Sequence, residues 1–254
     1  MTKEERHERI LEMSLKYESI SVAELSNLLN VSTVTVRKDL AELEKANKLY
    51  RSHGKAILIN PYTSNRSVNE KSKLAAEEKM AIGRVAASLI DKDDSIIIAS
   101  GTTVHALAHN IKPIHKLTVI SASLQVSEIL SSDEAIDIIQ LGGILRHSSL
   151  SVVGKYAEGL LPTFCCSKLF LGVDGIDFEF GITTTDIREA ELNRVMMHTA
   201  QKTIVLADSS KFHRRGFSKI SNIEDVDVII TDAGITDSIR RHIEELGIEL
   251  LIAQ

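Results

Sequence analysis

Three blocks of helical periodicity open the chain. Over residues 4–17 the apolar positions, Ile10, Leu11 and Leu15 among them, recur at helical spacing between charged neighbours, which predicts a first helix. Ser21 followed three residues on by Glu24 is a capping box, so a second helix starts at Val22 with Leu25, Leu28 and Leu29 as its stripe. Asn30-Val31-Ser32 breaks it. Ser32 suits the N-cap of a third helix, where Val36, Leu40 and Leu43 keep the i, i+4, i+7 rule and Asn47 can adopt the left-handed turn that ends it. Residues 49–52 and 56–59 then flank His53-Gly54-Lys55, the pattern of a β-hairpin around a glycine turn. Two helices joined tightly and followed by such a hairpin predict a winged helix-turn-helix.

Beyond it the pattern changes. Residues 60–74 are polar, with Pro61, Asn65, Ser67 and Asn69, and predict a linker. A helix is expected over 75–90. Short apolar runs follow at 95–99, 117–120, 136–141, 168–173, 203–207, 226–231 and 248–253, with helical stretches between most of them, including 186–199 and 237–246. Strands alternating with helices predict an α/β domain whose largely parallel sheet is covered on both faces. The expected organisation is a winged head over 1–59, a linker over 60–74 and a larger α/β domain over 75–254.

A length of 254 residues accommodates one small and one large domain. No apolar run is long enough to cross a bilayer, and none follows the first residues as a signal peptide would, so no membrane association and a cytoplasmic location are expected. Cys165 and Cys166 are adjacent, poorly placed for a disulfide, and are expected to be reduced core thiols. Nine histidines show no metal-ligand spacing; His105 and His109 stand at i, i+4 but lack a third ligand nearby in sequence. No metal and no cofactor are expected. The net charge of −5 is unevenly placed: residues 1–60 hold ten Lys/Arg against nine Asp/Glu, and the rest hold twenty against twenty-six. A near-neutral head can still bind DNA if its cations share a face.

Those cations are well placed. Thr35, Arg37 and Lys38 lie off the core stripe of the third helix, and Ser32 and Thr33 sit at its tip. A recognition helix enters the major groove N-terminus first, where hydroxyls and free backbone N–H groups hold phosphate. Arg37 can contact guanine bidentately, worth about 1–3 kcal/mol of discrimination. Arg51, His53 and Lys55 would add wing contacts. Double-stranded operator DNA is the expected partner; a protein-binding module with a solvated helix is the alternative.

The stretch Val31-Ser32-Thr33-Val34-Thr35-Val36-Arg37-Lys38-Asp39-Leu40, with Leu43-Glu44 and Tyr50-Arg51-Ser52-His53-Gly54, resembles the N-terminal signature of the DeoR/GlpR family of bacterial sugar-metabolism regulators. The resemblance continues through Ser100-Gly101-Thr102-Thr103, Leu141-Gly142-Gly143-Ile144-Leu145-Arg146, Phe170-Leu171-Gly172-Val173-Asp174-Gly175-Ile176, Gly181-Ile182-Thr183-Thr184 and Ala207-Asp208-Ser209-Ser210-Lys211-Phe212. It departs at Lys55 and Asn47, where the family usually has glycine. It implies a C-terminal sensor domain similar in fold to ribose-5-phosphate isomerase, a phosphorylated sugar as effector, a homodimer or homotetramer, and a repressor of a carbohydrate-metabolism operon.

The expected effector residues are Ser100, Gly101, Thr102, Thr103, Gly143, Arg146, Asp174, Asp177, Thr184, Glu189 and Lys211. Ser100–Thr103 follows a strand and opens a helix, a short anion cradle of N–H groups and hydroxyls. Arg146 can pair with phosphate or form a surface salt bridge. Asp174 and Asp177 can accept from sugar hydroxyls, although Asp177 could instead shape a turn. Asp186 and Glu189 could be a capping pair. Lys211 offers a charge for phosphate. An isomerase would need a base and a cation for the enediolate. Asp174, Asp177 and Glu189 resemble the bases, while the expected lysine-glycine run is replaced by Phe180-Gly181-Ile182-Thr183, so binding without turnover is expected.

Overall fold

A computed structural model describes the chain except residues 1, 18–19, 46–48, 53–54, 59–67 and 114. It divides into two compact units, Met1–Ser64 and Asn65–Gln254.

In the first unit, α1 (Lys3–Lys16) starts from a capping box between Thr2 and Glu5. β1 (Ile20–Ser21) leads into α2 (Val22–Leu29), which carries the expected Ser21–Glu24 box and ends on Asn30 at φ 52°. α3 (Thr33–Lys45) is capped by Ser32, whose Oγ accepts from Thr35 N at 3.1 Å. Ile10, Ile20, Leu25, Leu29, Val36, Leu40, Leu43 and Leu49 form one buried cluster. Leu28, expected in that stripe, is 53 % exposed; in an eight-residue helix Leu25 and Leu29 already fill the inward face, and Leu28 is rotated roughly 100° from Leu29.

β2 (Leu49–Ser52) and β3 (Lys55–Leu58) are antiparallel, with Ser52 opposite Lys55. β3 also pairs with β1, an unforeseen strand, placing Ser21 opposite Lys55. Lys55 therefore belongs to the central strand of a three-stranded sheet and not to the turn. The residues expected to end α3 and to form the wing turn, Asn47 and His53-Gly54, lie outside the described residues.

The second unit runs α4 (Val68–Lys71), α5 (Ala76–Ala87), β4 (Ser95–Ile98), α6 (Thr102–Asn110), β5 (Leu117–Ser121), α7 (Leu124–Leu130) and β6 (Ile136–Gln140). It continues with β7 (Ile144–Arg146), β8 (Ser151–Val153), α8 (Lys155–Leu160), β9 (Cys166–Gly172), β10 (Gly175–Asp177), β11 (Gly181–Thr184) and α9 (Ile187–Thr199). β12 (Ala200–Leu206), β13 (Ser218–Ser221), β14 (Val228–Asp232), α10 (Asp237–Glu245) and β15 (Glu249–Ala253) complete it. Of the expected linker, residues 60–67 lie outside the described residues, whereas 68–74 carry α4 and belong to this unit.

Seven strands make one parallel sheet in the order β15-β14-β12-β9-β4-β5-β6. They are the seven apolar runs. Both faces are buried, which is why those runs are continuous and not alternating. Ile96, Ile98, Phe170, Ile204 and Leu206 pack on one side, and Ile97, Leu169, Leu171 and Val205 on the other. Cys166 is buried in β9, which pushes its thiol up to about 11, while Cys165 is exposed and is not the core thiol expected. The strand order runs outward from β4 through β5 to β6, and from β9 through β12 and β14 to β15. The order therefore reverses between β4 and β9, and in such sheets ligands bind beyond the C-terminal strand ends at that point.

Candidate functional site

On α3 the buried side carries Val36, Leu40 and Leu43, and Ser32, Thr33, Arg37 and Lys38 are exposed, with Thr35 half-buried beside its cap. The helix tip thus presents hydroxyls and unpaired N–H groups, with both cations one turn along. Val34 had escaped notice. It is 67 % exposed and shares a helix face with Arg37 and Lys38, three and four residues on. Arg51 stands in β2 and Lys55 in β3; His53 is outside the described residues.

α3 is fastened to α1 by a buried carboxylate. Asp39 accepts from Arg6 Nε at 2.5 Å and Nη2 at 2.9 Å, and lies 3.2 Å from His7 Nε2. Burial opposes its charge, yet Arg6 and then His7 hold its pKa below the usual carboxylate value.

In the second unit a cleft opens at the switch point between β4 and β9. It is lined by Ser100–Thr103 after β4, Gly172–Asp174 at the end of β9, Lys211 after β12, Arg146, Ser148 and Ser149 from the β7–β8 hairpin, Thr184, Glu189, and Val68 and Lys71 of α4. The empty space inside it, counted out to the open mouth, is about 540 Å³.

Gly101 is the N-cap of α6 at φ 125°, a conformation side chains disfavour, and it supplies no capping side chain. The first-turn N–H groups of α6 are left without helical acceptors and border the cleft. Glu189 anchors the opposite wall. Its Oε1 accepts from Ser100 Oγ at 2.7 Å, its Oε2 from Arg146 Nη1 at 3.1 Å, and the Thr184 hydroxyl lies 2.9 Å from Oε2. That many donors make Glu189 a holder of Ser100 and Arg146. Arg146 is buried and also pairs with Asp186, so it is no surface salt bridge. Asp186 caps α9; burial opposes its charge, but Arg188 and Arg146 bring its pKa to about 2.

Asp174 Oδ1 accepts from Lys71 Nζ at 2.6 Å, and the Thr184 hydroxyl lies 3.2 Å from Oδ2. Burial would raise its pKa, but Lys71 and Lys211 hold it below the usual value. For Lys211 burial wins over Asp208 and Asp174 and lowers the pKa. Among the described residues its ammonium has no hydrogen-bond partner, so it can meet an anion in the cleft.

Nine of the eleven expected effector residues line this cleft. Asp177 does not. It is bound by Arg215 Nε at 2.8 Å and Nη2 at 2.9 Å, and by the backbone N–H groups of Glu179 and Phe180, so it shapes the β10–β11 turn. Gly143 also lies outside: a Cβ there would stand 2.7 Å from Val153 O, so glycine serves the β7–β8 approach. Lys71, Ser148 and Ser149 were missed, because two serines in a turn and a lysine in a polar stretch carry no pattern. The cleft is also not short of cations, as the missing lysine-glycine run suggested; Lys71 and Lys211 supply them. Of the three base candidates Asp177 lies elsewhere, Glu189 is engaged by Ser100, Arg146 and Thr184, and Asp174 lines the cleft held by Lys71. His105 is 3.1 Å from Ser123 Oγ, and no metal-binding cluster occurs among the described residues. No helix among them is long and apolar enough to cross a membrane.

Residues 6–62 match the family model of the DeoR-like helix-turn-helix domain, and residues 74–233 match that of the DeoR C terminal sensor domain. The uncharacterized HTH-type transcriptional regulator YulB of Bacillus subtilis (strain 168) is 37% identical over 246 residues, 97% of this chain and 95% of that protein. The HTH-type transcriptional repressor GlcR of the same organism is 34% identical over 254 residues, 100% of this chain and 98% of that protein. A ribose 5-phosphate isomerase A structure from Methanocaldococcus jannaschii aligns over 54% of this chain and 55% of its own, at 14% identity and a TM-score of 0.40. With both segments matched and relatives similar along their whole length, the chain belongs to the DeoR family of DNA-binding transcriptional regulators, and it is a regulator rather than an enzyme.

Proposed function

We propose that the protein is a repressor of a carbohydrate-metabolism operon, released from its operator when a phosphorylated sugar fills the cleft. The observation that carries this reading is the meeting of three features at one sheet edge: the uncapped N-terminus of α6, the Lys211 ammonium, which has no hydrogen-bond partner among the described residues, and the Asp174 carboxylate. N–H groups, hydroxyls and a cation suit phosphate. Asp174 has acceptor capacity left for sugar hydroxyls, and a neutral apolar ligand would leave the α6 N–H groups and the Lys211 ammonium without an acceptor. GlcR, a repressor by name, lends support to the sign of regulation.

On the DNA side, Ser32 and Thr33 anchor phosphate, Thr35, Arg37 and Lys38 read bases, and Arg51, His53 and Lys55 add wing contacts. One head reads too few base pairs for a useful specificity ratio, so the working form is a homodimer or homotetramer. The effector acts by binding one arrangement of the oligomer more tightly than the other.

Thermal-shift measurements with phosphorylated sugars and their unphosphorylated counterparts test the cleft. At least one phosphosugar should raise Tm where its free sugar does not, and it should release operator DNA. Lys211→Met should keep or raise the ligand-free Tm, because a half-buried cation with no hydrogen-bond partner among the described residues is removed, while cutting affinity about tenfold or more. Equal shifts with phosphorylated and free sugars, or an unaltered affinity in Lys211→Met, would sink this reading.

A further inference from the structure

We infer that Lys71 is an effector-contacting residue supplied by α4, just ahead of the segment that matches the sensor model, so that filling the cleft and docking α4 are one coupled event; this rests on the reading of the cleft as an anion site. α4 has four residues, too few to hold a helix by themselves. Three attachments hold it. Val68 N donates to Ser148 O at 2.7 Å. Lys71 Nζ donates to Asp174 Oδ1 at 2.6 Å. Lys79, buried on α5, points its ammonium at the other end and donates to Lys71 O at 2.7 Å and Leu74 O at 2.6 Å. The first two attachments end on residues that line the cleft.

The charges decide what a ligand does to this arrangement. The lining contains three cations, Lys71, Arg146 and Lys211, against two carboxylates, Asp174 and Glu189. Arg146 is already committed to Glu189 and Asp186. The two lysines are therefore the cations left to meet a phosphate dianion beside the α6 N–H groups. Lys71 has three N–H donors and gives one to Asp174, so it can serve ligand and carboxylate together. A bound anion adds an attachment to α4 and removes none. The coupling is reciprocal: whatever displaces α4 weakens the ligand, and the ligand resists that displacement. In sequence α4 directly follows residues 59–67, which lead from the DNA-binding unit, and it precedes residue 74, where the match to the sensor model begins. The residue that completes the site is thus on the segment through which a signal must pass.

Amide hydrogen exchange on the full chain, titrated with inorganic phosphate and with ribose 5-phosphate, tests this. Val68, Ser72 and Leu74 report on α4, since their N–H groups bond within or onto it; Thr102, Thr103 and Val104 report on the cradle. Both sets should slow on ligand addition. Lys71→Met should lower affinity about tenfold and abolish the slowing at 68–74, while saturating ligand still protects 102–104. Lys71→Arg, which keeps the cation, should retain both effects and shows that loss in Lys71→Met is not misfolding. Protection of 102–104 with equal affinity in wild type and Lys71→Met would overturn the role of Lys71 and leave the effector site standing. No protection at 102–104 in wild type with either probe would overturn both.

Discussion

At α3 the exposed valine makes a residue-scale prediction about base reading. Val34 is the apolar member of a face otherwise made by Arg37 and Lys38, and an apolar side chain there can pack on a thymine methyl. Val34→Ser should weaken binding to a site selected from genomic fragments by about 1 kcal/mol, with non-specific affinity unchanged. Equal loss on both kinds of DNA would remove Val34 from readout. His105 makes a second. Burial first, and His109 second, bring its pKa down to about 4, so it is neutral when folded and takes up a proton on unfolding. The unfolded chain then binds more protons between about pH 4 and 6.5, and stability falls as pH drops through that window. His105→Gln should flatten the fall between pH 6.5 and 5, by at most about 2 kcal/mol. An unchanged pH profile of Tm would show that His105 charges in place. Single residues were also where sequence reasoning was weakest. Asp174 and Asp177 are both polar carboxylates after one strand, and only the Arg215 contact separates ligand group from turn former. Lys71 had no periodicity or motif to mark it.

Elements were far more legible, and burial explains which. The seven sheet strands are apolar on both faces and stood out as runs, and the Ser21–Glu24 box located α2 to the residue. β7, β8, β10, β11 and β13 have three or four residues each, and all but β7 mix glycine, threonine or serine with apolar positions, so no period of two could build up. They lie beyond the main sheet and carry Arg146 and Thr184 into the cleft, so the less legible elements complete the site. Between elements of the head, the Arg6–Asp39 bond is the decisive tie. Asp39 occupies a position that looks solvent-facing beside Leu40, and only α1 packed against it makes it buried. Asp39→Ala leaves Arg6 without that partner and should cost about 3–5 kcal/mol. Amide exchange in α1 and α3 should accelerate and DNA binding should be lost, while phosphosugar-induced protection at Thr102–Val104 persists. Unchanged exchange in the head would show that the bond is dispensable.

For the whole molecule, the division of charge constrains how DNA is held. The first sixty residues have a balance of +1 and the remainder −6, so long-range attraction to DNA is weak and must come from the few cations on one face of the head. With so small an electrostatic contribution, the proposed oligomer would gain its occupancy by joining heads, since linking two weak readers can raise affinity by about 10²–10⁴ without a new contact. The full-length protein should therefore bind a fragment carrying two half-sites at least about 100-fold more tightly than one carrying a single half-site. The gap should close when the two half-sites are moved apart by half a helical turn, because the second head then faces the wrong side of the duplex. Salt should weaken both complexes, with the steeper log–log slope for the paired site, which neutralises twice the phosphates. Quantitative gel shifts at several salt concentrations distinguish the outcomes. Equal affinity for single and paired half-sites would mean that each head works alone, and an effector acting on the oligomer's arrangement would then have nothing to control.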